Sequence, residues 1–160
     1  MEEKEFWKII ENTWINSGKN ENRLKAIASN DESLLQELMN FIDDELLPFY
    51  RQELEQLNKE EFTKFLLEFE KKLYQIDRQE IHEFTDGSDD GFLYCRCFIF
   101  AMGQEYYEMI DENPSQAKFD LEAELFGFEG YSYFDKKFNL EFDRYTIHSI
   151  ESFSNINKWE

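Results

Sequence analysis

Two prolines and six glycines are all that interrupt this chain of 160 residues. Their scarcity argues against a turn-rich β architecture and favours long helices. Cysteine is nearly absent too. Cys95 and Cys97 stand two apart, so on a helix they point to nearly opposite sides and cannot bridge within it. Reduced, buried thiols in a reducing compartment are the expectation. The only histidines, His82 and His148, are far apart and lack the spacing of a zinc motif. No uninterrupted apolar run approaches the roughly 20 residues that span a bilayer, and no apolar region follows a basic start. The chain therefore reads as cytoplasmic, with no membrane partner. Positive charge is also in short supply. Seventeen Lys and Arg face 36 Asp and Glu, giving a formal net charge of −19. Such a field repels phosphate backbones and anionic lipid, so nucleic-acid binding through a basic groove is disfavoured. Nucleophile elbows, P-loops and dinucleotide fingerprints are missing as well, which weighs against an enzyme and implies no cofactor or metal.

What the chain does have is aromatic mass. Seventeen Phe, eight Tyr and three Trp are far too many for a chain that cannot collapse. The length fits one domain, residues 1–160. Phe6, Trp7, Ile10 and Trp14 recur at helical spacing after an acidic start, predicting a helix from about Glu3 to Asn16 ended by Ser17-Gly18. A short helix is expected from Asn20 to Ala28. Ser29 and Glu32 form a capping-box pattern before Leu34, Leu35, Leu38, Phe41, Ile42, Leu46 and Phe49, a long amphipathic helix that Pro48 should kink or divide. Asn58 and Glu61 repeat the pattern before Phe62, Phe65, Leu66, Phe69, Leu73 and Ile76, the clearest helix in the chain.

The most apolar run follows the densest acidic turn. From Phe92 to Met102 the only charge is Arg96, so a helix near residues 89–102, capped by Ser88, Asp89 or Asp90, should be buried on nearly all sides. The fold class expected is all-α, a compact multi-helix domain around that central helix. Gln104 to Asn113 continues as a helix that Asn113-Pro114 stops. A short helix is expected around Asp120. Residues 126–134, punctuated by Gly127 and Gly130, fit a packed loop or a helix equally well, and the tail from Asn139 allows a short helix or strand.

The acidic turn starts like a calcium loop. Asp86, Ser88 and Asp90 alternate and Gly91 falls sixth, but Cys97 occupies the twelfth position, where a bidentate carboxylate belongs. A structural cap is the better reading. Arg96 has Phe92, Leu93, Ile99 and Phe100 as its helical neighbours, so no local carboxylate can pair with it. Burial then requires a partner from elsewhere, for which Asp86, Asp89 and Asp90 are candidates.

Taken together these segments resemble a bacterial family catalogued as domain of unknown function 4240. The resemblance is carried by Phe6-Trp7-Lys8-Ile9-Ile10, by Leu57-Asn58-Lys59-Glu60-Glu61, and most specifically by Ser88-Asp89-Asp90-Gly91-Phe92 through Arg96 to Gly103, Tyr107 and Asn113-Pro114. It covers roughly residues 5–135, with Phe98 where members often carry Trp and an inserted segment around residues 19–50. It implies a small helical domain and names no activity or catalytic residue. Single-domain members look similar to proteins suspected of immunity or accessory roles.

Charge is unevenly spread. Residues 86–130 hold eleven acids against two bases, Arg96 and Lys118. The leading expectation is a non-enzymatic interaction protein whose acidic face binds a basic protein, with an immunity protein that neutralises a toxin as one form. Asp43, Asp44, Glu45, Asp111 and Glu112 are the candidate contacts. The alternative is a small-anion or enzymatic pocket formed by Asp89, Asp90 and Arg96 with Tyr106 and Tyr107. A third reading is a homodimer through exposed aromatics near Tyr131 to Phe134.

Overall fold

Capping chemistry sets most of the helix ends. The computed structural model describes residues 1–159, and among these it contains nine α-helices, two 3₁₀ turns and no strand. Helix α1 (Glu3–Ser17) opens with a reciprocal box between Glu2 and Glu5 and closes at Gly18, whose φ of 78° is the left-handed conformation that glycine adopts without steric cost. Helix α2 (Asn20–Ser29) ends at Asn30. The cap of α3 (Glu32–Ile42) is Asp31, which accepts the Leu34 amide; Ser29 instead bonds back to Lys25 O in the preceding helix. The long helix expected through residue 49 is divided before Pro48. Residues 43–46 form the break, and Pro48 lies in the first turn of α4 (Leu47–Glu55), where its missing amide hydrogen costs nothing.

Helix α5 (Lys59–Gln75) starts with the full Asn58–Glu61 capping box. After the single turn of α6 (Gln79–His82), Ser88 caps α7 (Asp89–Ala101) by accepting the Gly91 amide. Helix α8 (Gln104–Glu112) stops at Asn113, and a 3₁₀ turn (Pro114–Gln116) follows. The glycine-punctuated aromatic stretch is helical: α9 runs Glu124–Phe138. Asp120, around which a short helix was expected, lies in the preceding loop with φ 62°. Beyond α9 the tail is irregular except for a 3₁₀ turn at Ile156–Lys158.

Helix α7 is the axis of the core. Every residue from Gly91 to Ala101 is buried except Tyr94, which is half-buried. The Phe100 ring meets Phe6 and Trp7 of α1, Phe69 of α5 and Phe126 of α9, at centroid separations of 4.9–6.1 Å. Trp14 ties α1 to the end of α7 by donating its indole N–H to Ala101 O at 2.7 Å. Two glycines permit this closeness. A methyl group at Gly127 would be driven into the Cys97 sulfur where α9 crosses α7. One at Gly103, whose φ is 94°, would strike the Arg23 guanidinium.

Candidate functional site

The acidic side chains divide into those the fold has already used and those left facing solvent. Asp43 belongs to the first group. Its carboxylate accepts the amides of Leu125 and Phe126 at 3.2 and 2.8 Å, so it caps α9 from across the break between α3 and α4. Burial pushes its carboxyl above the ordinary range, more than those two amides pull it down. Asp111 is also engaged. Arg78 donates to its carboxylate at 2.6 Å and to its backbone carbonyl at 2.9 Å.

Asp44 and Glu45 are exposed and line a shallow groove of about 380 Å³ together with Glu37, Asn22, Phe41 and Lys19. That groove carries its own cation. The more one-sided surface lies along α8. Glu105, Glu108 and Glu112 project from it and, with Glu11, Gln104, Met109 and Asn113, line an open groove of about 540 Å³ without a basic residue. Glu11 is held by Arg23. Glu108 accepts from Gln104 at 3.0 Å, and among the described residues Glu105, Glu108 and Glu112 form no ion pair. Of these, sequence reasoning named Glu112 alone. The signal was available: positions 105, 108 and 112 share one face of a helix whose opposite face buries Tyr106, Tyr107 and Ile110.

Arg96 is fully buried, and its partners are not the expected carboxylates. Its terminal amino groups donate to Leu73 O at 3.0 Å, Ile150 O at 2.8 Å and Ser152 Oγ at 3.1 Å, while the guanidinium lies 4.6 Å from the centre of the Phe92 ring. Desolvation lowers its affinity for the proton, and Asp77 is the charge that opposes this most. Asp86 turns instead to its own loop, accepting from the Ser88 amide and hydroxyl. Asp89 and Asp90 are exposed in the first turn of α7, where negative charge suits the helix dipole. Ser152 stands between the turn and the guanidinium, accepting from Arg96 and donating to Asp89 O.

The remaining chemical candidates are equally enclosed. Cys95 and Cys97 are buried free thiols, and burial pushes Cys97 up to about 12, so it stays protonated and unreactive. Tyr106 and Tyr107 are buried, the latter donating to Lys72 O. The Tyr131–Phe134 segment is not an exposed aromatic face. Tyr131 and Phe134 are core residues, and only Ser132 is exposed there. Among the described residues no group of three or more His, Cys, Asp and Glu is arranged to hold a metal ion. No helix among them is long and apolar enough to cross a membrane.

A family model described as a protein of unknown function (DUF4240) matches residues 40–146, which takes in α4 to α9. No curated protein and no solved structure matches the chain.

Proposed function

The chain belongs to the DUF4240 family, and we propose that this member is a non-enzymatic interaction protein whose acidic surface captures a basic protein. The observation that carries the reading is the α8 groove, where Glu105, Glu108 and Glu112 line an open concavity with no basic residue in its wall. Each exposed carboxylate there is hydrated, and repulsion between them is relieved when a cationic segment enters. Set in a molecule of net charge −19, the groove also draws such a partner by long-range steering, which raises association rate more than it raises final affinity.

A toxin is one class of basic partner, and immunity is then the concrete form of the function. An inhibitor of that kind needs only to cover a cationic cleft. The enclosed thiols and the internally bonded Arg96 fit a role without chemistry.

The test is capture from a lysate of the source organism at low salt, comparing the wild type with the triple variant Glu105→Lys, Glu108→Lys, Glu112→Lys. A basic protein retained by the wild type and lost from the variant supports the reading. Equal retention by both overturns the assignment to α8.

A further inference from the structure

The groove between α2, α3 and the break at residues 43–46 has an apolar floor. Leu34, Leu38 and Phe41 form it, and Lys19, Asn22, Glu37, Asn40, Asp44 and Glu45 stand around a space of about 380 Å³. Leu38 is buried and Leu34 and Phe41 are half-buried, whereas all six polar residues are exposed. Among the described residues, none of those six side chains makes a hydrogen bond or an ion pair. The other charged grooves are different. Between α1, α4 and α5, Asn12 bonds to Glu53, Glu61 to the Asn58 amide and Lys64 to Glu60. Along α8, Glu11 and Glu108 are engaged.

The frame of this groove is held by bonds that leave its lining side chains free. Phe41 O accepts the amides of Asp44 and Leu46 at 3.3 and 3.1 Å, and the neighbouring Asp43 is tied to the start of α9. Leu46 is fully buried. On the α2 side, Ser17 Oγ accepts the Lys19 amide at 3.2 Å. The Phe41 ring packs on Trp14 of α1 at a centroid separation of 5.9 Å. Ring and backbone are thus set before a ligand arrives, so an occupant that fits them loses little to reorganisation.

We propose that this groove receives a single arginine side chain of the basic protein that the acidic surface captures. The inference rests on that reading of the partner and adds a contact separate from α8. Three carboxylates against one ammonium select a cation. The apolar floor calls for a hydrocarbon stem beneath that charge, which both arginine and lysine carry. Arginine is the better fit. Its planar guanidinium can lie on the Phe41 ring while five N–H donors are shared among the carboxylates and the carboxamide oxygens of Asn22 and Asn40. A lysine ammonium brings three donors and gives up its water less readily. Lys19 on the rim repels either cation, and that sets the sign of one test.

The probe is N-acetyl-arginine N-methylamide, with its lysine and citrulline counterparts, titrated at low salt while the side-chain amide NMR signals of Asn22, Asn40, Gln104 and Asn113 are followed. The first two report on this groove and the last two on α8. The arginine compound is expected to shift Asn22 and Asn40 saturably, binding about threefold or more tighter than the lysine compound, with no response to neutral citrulline. Asp44→Asn with Glu45→Gln should weaken it by about fivefold or more, and Lys19→Ala should tighten it by about twofold. These side chains are exposed and unbonded, so the fold is not at stake. No saturable shift at Asn22 and Asn40, equal shifts in both grooves, or a response that the Asp44 and Glu45 changes leave intact would overturn the arginine site without touching the α8 reading. Saturable arginine binding by a chain that captures no basic protein would keep the site and overturn the partner reading.

Discussion

Arg96 shows how a single buried charge can organise its surroundings without an ion pair. Two main-chain carbonyls, a hydroxyl and the face of Phe92 replace water around the guanidinium. Removing it leaves Leu73 O and Ile150 O without donors, each costing about 1–3 kcal/mol, in addition to a cavity. Arg96→Leu is therefore expected to lose roughly 3 kcal/mol or more in urea unfolding. Arg96→Lys should recover little of it, because one ammonium group on a flexible stem cannot reproduce the planar fork that spans both carbonyls. Full rescue by lysine would show that charge alone matters at this position.

At the scale of elements, local signals and long-range ones had different fates. The Asn58–Glu61 box and the unbroken spacing of three and four behind it made α5 readable, and the nearly chargeless run from Phe92 made the burial of α7 readable. The helical state of α9 was not, since Gly127 and Gly130 look like breakers until Cys97 and Leu66 are seen to need the space a side chain would fill. The role of Asp43 was hidden for a related reason. It caps a helix more than 80 residues away, and no local pattern encodes such a partner. Asp43→Ala should cost about 0.5–2 kcal/mol, in the range of an N-cap deletion, whereas neighbouring Asp44→Ala should be close to neutral. Thermal melts of the two variants separate a structural carboxylate from a surface one. Of the candidate contacts, Asp44, Glu45 and Glu112 remain exposed, while Asp43 and Asp111 are occupied by the fold.

For the whole molecule, net charge and burial together set the response to pH. Burial is the largest influence on Asp43, Glu70 and Glu122, and it raises all three carboxyl groups above their ordinary values. The folded state thus holds their protons more tightly than the unfolded state. Their contribution to stability is fully present below the unfolded value and is lost as pH rises through the raised folded values. Acidification also reduces the self-repulsion of a chain at −19. The unfolding midpoint at fixed ionic strength should therefore rise as pH is lowered from neutral towards the ordinary carboxylate range. Glu70→Gln should flatten part of that rise. A midpoint that falls steadily on acidification would mean that depressed carboxylates dominate the balance.

The same surface field underlies the interaction reading, and the most direct test is the affinity of the captured basic protein measured against salt. Steering and a cationic contact on α8 predict that Kd weakens by about tenfold or more between roughly 50 and 500 mM salt, as the screening length shrinks. The Glu105→Lys, Glu108→Lys, Glu112→Lys variant should bind weakly at low salt and show little further loss. An affinity that is the same at both salt concentrations, or that survives the charge reversal, would contradict the claim that this acidic groove captures its partner by charge.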